Sequence, residues 1–354
     1  MKFLILPGDG IGPEIVAGAV KVLKAAATRY ALDLELEYDI VGFASLERHG
    51  TSLREEVLAR AREVDGIVLG PQSHADYPPV SEGGRNISAG FRVGLDLYAN
   101  VRPARSRPFL PTNMREGRAI DLVIMREATE GFYPDRNMTQ GWGEVMPSPD
   151  MALSTRKITR ACCTRIAERA FEWAARRRGH VTAIHKANSF KLTDGLFLAC
   201  VREVAKRHPN VTLDEMLVDA ATAHMVRTPE RFDVLVATNF YGDILSDLAS
   251  ELSGGLGLAG SMMASDTHCC AQAQHGSAPD IAGQDVANPT SMILSVAMLL
   301  QWLGAKREHA GLTRAGDAMH QAVDTVLAQP EARTRDVGGR AGTAAFAQAC
   351  ADAL

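Results

Sequence analysis

An α/β architecture is predicted by three features of the sequence. Short apolar runs alternate with longer segments of helical spacing, glycines stand at many of the junctions, and no internal repeat or low-complexity tract points to a solenoid. Residues 2–6 read as a strand. The loop Gly8-Asp9-Gly10-Ile11-Gly12-Pro13-Glu14 follows, and residues 15–27 have helical spacing, with Pro13 where a first helical turn tolerates it. Strand and helix then alternate: 35–40 strand, 53–62 helix, 66–69 strand, 120–125 strand, 158–177 helix, 181–185 strand, 194–206 helix, a helix near 214–225, 233–238 strand and 243–252 helix. Four glycines in 254–260 break the pattern. The apolar stretch 292–303 contains Ser295 and Gln301 and falls short of the ~20 residues a membrane span needs, so it reads as a buried helix. The last hundred residues offer no strong set of strands of their own and are expected to pack back onto the first part of the chain.

The 354 residues carry 38 Lys plus Arg against 42 Asp plus Glu, a formal net charge of −4 that disfavours nucleic acid as the principal partner. A hydrophobic fraction of 46% with 23% charged residues is enough for a sizeable core and argues against disorder. Cysteines 162, 163, 200, 269, 270 and 350 include two adjacent pairs and no C-x-x-C, which suits neither a disulfide framework nor a zinc ribbon. A reducing, cytoplasmic setting is expected. The apolar run 3–6 is too short for a signal peptide, and no membrane association is expected.

Several residues carry chemistry. In the first loop the third glycine position of G-x-G-x-x-G is Pro13, so the phosphate loop of a dinucleotide fold is not there and the segment reads as a tight turn feeding a helix. Asp243 and Asp247, in Gly242-Asp243-Ile244-Leu245-Ser246-Asp247, stand at i and i+4. On a helix they either share a divalent cation, Mg²⁺ or Mn²⁺ rather than zinc, or serve as a cap and a solvated side chain. Arg92, Arg102 and Arg126 lie in or beside apolar segments, where guanidinium groups meet carboxylates: structural partners or an anionic substrate. Lys186 ends a strand, where open α/β sheets place ligands, and Tyr133 is a candidate proton donor, although either residue alone also fits packing or surface roles. The pair Cys269-Cys270 with His268 and His275 matches no soft-metal template, and Arg176-Arg177-Arg178 reads as a solvated cationic helix end.

Taken in order, these motifs resemble the isocitrate and isopropylmalate dehydrogenase family of β-decarboxylating dehydrogenases. The resemblance runs from Leu6-Pro7-Gly8-Asp9-Gly10 through Asp96-Leu97-Tyr98-Ala99-Asn100-Val101-Arg102-Pro103 and His275-Gly276-Ser277-Ala278-Pro279-Asp280-Ile281 to Asn288-Pro289-Thr290. It implies a two-domain α/β subunit, with residues 1–99 plus 255–354 binding cofactor, residues 100–254 binding substrate and metal and forming the dimer, and the active site in the cleft between them. It implies NAD-dependent oxidative decarboxylation of a 3-substituted malate. Arg92, Arg102 and Arg126 are expected at the substrate carboxylates, with Asp243, Asp247 and Asp219 on Mg²⁺ or Mn²⁺. Lys186 is expected to take the hydroxyl proton and Tyr133 to protonate C3. Lys186 and Asp219 are expected from the partner of a homodimer. His275, Gly276, Ser277, Ala278, Asp280, Ile281, Asn288 and Asn188 are expected at the cofactor. Asp280 favours NAD⁺, because its charge repels a 2′-phosphate.

Asn86 and Ser88 would face the C3 substituent, and their polarity favours an isocitrate- or homoisocitrate-like substrate over isopropylmalate. Gln272-Ala273-Gln274 departs from the Glu-Pro-Val expected there, and 3-isopropylmalate, tartrate and D-malate remain alternatives. A non-catalytic regulatory subunit is a remote alternative, since such chains lose catalytic or metal residues that are all present here.

Overall fold

The computed structural model describes residues 1–138 and 140–354, which divide into two compact units. The first comprises residues 1–95, 107–111 and 254–354, and the second residues 96–106 and 112–253. The chain opens the first unit with β1 (Lys2–Leu6), α1 (Gly12–Arg29), β2 (Glu35–Tyr38), α2 (Phe43–His49), α3 (Glu55–Ala61), β3 (Gly66–Leu69) and α4 (Ile87–Gly94). The second unit holds β4 (Ala99–Arg105), β5 (Asp121–Glu127), β6 (Glu144–Ser148), β7 (Met151–Ser154), α5 (Arg160–Ala175), β8 (His180–His185), α6 (Thr193–Ala205), β9 (Thr212–Leu217), α7 (Val218–Arg227), β10 (Val234–Ala237) and α8 (Asn239–Ser253). The chain then returns to the first unit with β11 (Met262–Ala264), β12 (Cys269–Gln272), α9 (Thr290–Lys306), α10 (Ala310–Leu327) and α11 (Thr343–Asp352).

In the first unit the strand order is β2-β1-β3-β12-β11, parallel except for the last pair. Strands β1 and β3 are apolar almost throughout because helices leave neither face to water. The expected apolar helix is α9, with 13 of its 17 residues buried. It packs on α10, α1 and β12, and each Leu, Ile or Met so buried contributes about 1.5–3 kcal/mol. The late segments thus return to the first part of the chain, and they bring β11 and β12, whose brevity hid them in the sequence.

In the second unit the order is β4-β5-β10-β8-β9, with only β4 antiparallel to its neighbour. Leu122, Ile124 and Arg126 alternate onto the face of β5 that α8 covers, and Leu122 and Ile124 join Leu235, Leu245 and Ala249 in one core cluster. Three expectations need correction here. Residues 214–217 are not helical: they belong to β9, where pairing with β8 from His180↔Thr212 to His185↔Leu217 overrides local preference. Helix α8 starts at Asn239, four residues before Asp243, so that carboxylate is not a cap. Arg177 is no solvated end, since it bonds Asp233 at 2.7 Å and Asp121 at 2.8 Å. A hairpin, β6 with β7, was not anticipated, and every residue in both strands is exposed. Among the described residues no helix is long and apolar enough to cross a membrane.

The first glycine loop has a structural task. Gly10 adopts φ +56°, and a Cβ there would stand 2.0 Å from the Ser277 carbonyl oxygen, which also accepts the Ile11 N–H at 2.8 Å. Gly10→Ala is therefore expected to lower unfolding free energy by about 1–3 kcal/mol from backbone strain alone, more with the clash. Chemical denaturation measures this, and an unchanged midpoint would contradict the packing argument.

Candidate active site

Strand β5 delivers Arg126 to the start of α8 almost wholly buried. Its Nε donates to Asn239 Oδ1 at 2.8 Å, one terminal nitrogen bonds Asp243 Oδ1, and the other donates to the Tyr133 hydroxyl at 3.0 Å. Arg102, from the neighbouring β4, donates to Asp243 Oδ1 at 3.0 Å, Ser246 Oγ at 2.7 Å and Asp247 Oδ1 at 3.4 Å. The Tyr133 hydroxyl donates to Asp243 Oδ2 at 2.7 Å. Burial, and then the Arg126 charge, push Arg102 down to about 10, so it stays cationic at neutral pH. Arg102 Nε is buried without a hydrogen-bond partner. Gly242 permits the close approach of α8, since a Cβ there would lie 2.7 Å from Arg126 Cβ. Asn239 and Ser246 join the site unanticipated, Ser246 from within the motif that carries Asp243 and Asn239 from three residues before it.

Lys186, just past β8, and Asp219, in the first turn of α7, form a separate pair with Nζ to Oδ1 at 2.7 Å. The lysine hydrogen bond holds the Asp219 carboxyl below the usual range. Among the described residues no three His, Cys, Asp or Glu side chains converge as a metal group, so one chain does not bring Asp219 to Asp243 and Asp247. Those two aspartates are oxygen donors on successive turns of α8 with partly exposed side chains, which fits the hard-ligand preference of Mg²⁺ or Mn²⁺.

In the first unit Arg92 is buried on α4, its Nε 3.1 Å from Met263 Sδ. Ser88 stands one turn earlier on the same face. It donates to Gln72 Oε1 at 2.8 Å and accepts from Gln272 Nε2 at 2.9 Å, while that amide also reaches Gln72 Oε1 at 3.1 Å. Asn86 uses its side-chain oxygen to cap α4, accepting the Ala89 N–H at 3.0 Å. The glutamines escaped the sequence reading because they come from segments far apart in the chain.

The 275–283 loop also lies in this unit. His275 Nδ1 faces the Gly276 carbonyl at 2.9 Å and so carries the proton, leaving Nε2 as an acceptor that is buried and unpartnered. Burial holds the ring below its ordinary pKa and hence neutral. Ser277 Oγ lies 2.6 Å from Ser73 Oγ. Ala278 is left-handed at φ +38°, and Asp280 is exposed in the 3₁₀ turn that contains Ile281. Among the described residues no hydrogen bond reaches the Asp280 carboxylate; the orphaned imidazole nitrogen and this carboxylate fit the amine and hydroxyls of an adenosine. Asn288 accepts the Thr290 N–H at 3.0 Å and donates to Asp336 at 2.9 Å, opening α9. Asn188 is exposed in the turn after Lys186. Cys269 and Cys270 are buried in β12, and burial pushes both thiols up.

One unit with buried arginines on an aspartate pair, and another with an orphaned imidazole beside a Ser-Ala-Pro loop, define an α/β protein with a candidate ligand-binding group in each unit. Residues 2–353 match the isocitrate/isopropylmalate dehydrogenase family, and the chain belongs to it. It is 41% identical over 360 residues to the isocitrate/homoisocitrate dehydrogenase of Thermus thermophilus, covering 100% of this chain and 98% of that protein. It is 37% identical over 340 residues to the 3-isopropylmalate dehydrogenase of Saccharolobus solfataricus, covering 96% and 95%. The crystal structure of isocitrate dehydrogenase from Methylococcus capsulatus superposes with a TM-score of 0.87 at 39% identity, covering 99% of this chain and 98% of that one. The chain is thus a dehydrogenase of a family that supports oxidative decarboxylation of 3-substituted malates.

The pH response of His275 follows from its burial. Its folded pKa lies below the ordinary value of 6.5, so the stabilising preference for the neutral ring is present above 6.5 and is lost as pH falls through the lowered value. His275→Gln is expected to flatten thermal stability against pH below about 6.5. An unchanged acid slope in the variant would contradict the assignment.

Proposed function

We propose that the protein is an NAD-dependent, Mg²⁺- or Mn²⁺-requiring dehydrogenase that oxidatively decarboxylates a 3-substituted malate, with isocitrate or homoisocitrate ahead of 3-isopropylmalate, tartrate and D-malate. The observation that carries this reading is the convergence of Arg102, Arg126 and Tyr133 on Asp243. When bound, the cation supplies a Lewis acid and the nicotinamide a hydride acceptor.

The chain's own residues do the rest. Arg92, Arg102 and Arg126 hold the substrate carboxylates, the guanidinium groups exchanging a protein carboxylate for those of the ligand. Asp243 and Asp247, with Asp219, hold the cation. Lys186 accepts the C2 hydroxyl proton as hydride leaves that carbon, and Tyr133 returns a proton to C3 after CO₂ departs. The neutral Nε2 of His275 accepts from the adenine amine and Asp280 from the ribose, which favours NAD⁺. Ser88, on the face of α4 that carries Arg92, and the Gln72 and Gln272 side chains bonded to it favour a polar substituent. Burying an isopropyl group against them would take from water only those hydrogen-bonding positions that the cluster does not pair internally, at about 1–3 kcal/mol for each one lost.

A homodimer is supported by the β6–β7 hairpin, where exposed Val145, Met146, Met151 and Leu153 lie on two strands that alone would be marginally stable at best in water. In this reading a second copy covers the hairpin, and Lys186 and Asp219 are assigned to the other chain's Asp243. Six unpaired cysteines, five of them buried, agree with a reducing compartment such as the cytoplasm.

NADH formation with Mn²⁺ should show a tricarboxylate leading isopropylmalate, tartrate and D-malate in kcat/KM by tenfold or more, about 1.4 kcal/mol. A lead for isopropylmalate would overturn the substrate preference, and no turnover with any of them would revive a regulatory role. Mixing Lys186→Met with Asp243→Asn chains, each inactive alone, is expected to restore about a quarter of wild-type activity through mixed dimers with one intact site. If mixing restores nothing, Lys186 serves its own chain.

A further inference from the structure

Arg156 belongs to none of the sets above. It lies between β7 and α5 with its side chain only 5% exposed, beside an Asp194 side chain that is 0% exposed. One terminal nitrogen donates to Asp194 Oδ1 at 2.5 Å and Thr193 Oγ1 at 3.1 Å, and the other to Thr238 Oγ1 at 3.0 Å. Its guanidinium carbon lies 4.8 Å from the Phe132 ring centroid, 5.2 Å from that of Tyr241 and 5.3 Å from that of Phe190. Arg156 Nε is buried without a hydrogen-bond partner, so the rings complete its surroundings.

Each of these partners adjoins a residue of the proposed chemistry. Phe132 precedes Tyr133. Thr238 and Tyr241 flank Asn239, at the start of the helix that presents Asp243. Asp194 Oδ2 accepts the Lys186 backbone N–H at 2.6 Å, and the Phe190 N–H bonds the Lys186 carbonyl at 2.8 Å. The loop around Arg156 is tied to the Tyr133 segment a second time, because Gly131 and Lys157 exchange backbone hydrogen bonds at 3.0 and 3.1 Å. A buried ion pair is a weak source of net stability, but it fixes geometry strongly because neither charge tolerates losing its partner.

We infer that Arg156, through Asp194 and its aromatic surround, is a positioning residue that sets the Lys186 backbone in register with the Tyr133 and Asp243 segments. The inference rests on the roles given above to Lys186 and Tyr133. The guanidinium matters because its two separated terminal nitrogens bond Asp194, Thr193 and Thr238 together while its central carbon sits among three rings, a spread of contacts that a compact ammonium group does not reproduce.

The test uses the full-length protein with wild type in parallel, and the variants Arg156→Lys, Arg156→Ala and Asp194→Asn. Under the NADH assay Arg156→Lys and Asp194→Asn are expected to lose about 10- to 100-fold in kcat with KM within about threefold. Guanidinium ion at millimolar concentration is expected to restore part of the kcat of Arg156→Ala and none of that of Asp194→Asn. Unchanged kcat, or a loss that only follows the fraction of folded protein without rescue, overturns the inference. Should Arg156→Ala fail to fold, Arg156→Lys carries the comparison. Hydrogen exchange resolved by peptide needs no turnover: in Arg156→Lys, peptides covering 130–133, 186–194 and 238–243 are expected to exchange faster together while the first unit is unchanged. Acceleration confined to residues 155–159 overturns it. Wild type inert toward every malate, with the three peptides still loosening together, would sink the proposed function and leave the positioning role standing.

Discussion

Two buried guanidinium groups on one carboxylate oxygen are the constraint on which much of the second unit depends. Arg102 and Arg126 come from adjacent antiparallel strands and both bond Asp243 Oδ1. Like charges so close repel by roughly a few kcal/mol even with the screening typical of proteins, which is why burial and Arg126 together lower the Arg102 pKa. The carboxylate must come within hydrogen-bond reach, so α8 has to begin immediately after β10 and lie against β5. Gly242 is the residue that permits this, since any side chain there would meet Arg126. In the proposed function the same geometry would ready the site for an anionic ligand, a substrate carboxylate taking over the role Asp243 now plays toward the arginines.

Much of this was legible in the sequence because the parts are local. Residues 3–6, 66–69 and 234–237 are fully apolar runs, the signature of parallel strands covered on both faces, and they lie in β1, β3 and β10. Asp243 and Asp247 could be placed on one helical face from spacing alone. What spacing could not supply was the start of α8. The tightness of the turn after β10 is set by Arg126, more than a hundred residues earlier in the chain. For β9 the deciding partner is β8, and residues 214–217, which include two acidic side chains, carry little local strand signal. The β6–β7 hairpin was missed for a related reason. With both faces exposed it lacks the alternation of polar and apolar positions that marks a half-buried strand.

The first unit shows how a motif can be read by what it lacks. Pro13 argues against the phosphate-loop reading, and the geometry gives the glycines a structural purpose: Gly10 lets the chain pass close to Ser277, so the N-terminal loop braces the 275–283 loop. Two loops more than 260 residues apart are thereby made one structural element. The sequence held both halves, but only the folded chain shows that the first supports the second.

Substrate identity is harder to read than reaction class for a physical reason. Relatives named for isocitrate/homoisocitrate and for isopropylmalate stand at 41% and 37% identity over nearly the whole chain. In the proposed reading the arginines, aspartates, lysine and tyrosine answer to the malate core that such substrates share. The C3 substituent would then be met by only a few side chains, and discrimination worth about 1–3 kcal/mol can turn on one of them. Here Ser88 is on α4, Gln72 follows β3 and Gln272 ends β12, and together they make a neutral cluster of donors and acceptors. A neutral cluster accepts a hydroxyl readily, but a carboxylate brought to it needs hydrogen bonds in place of a counter-charge. Under the proposed function the cluster weighs more against an isopropyl group than between a carboxylate and a hydroxyl, so the proposed preference for a tricarboxylate rests on the oxygen atoms of the substituent rather than on its charge.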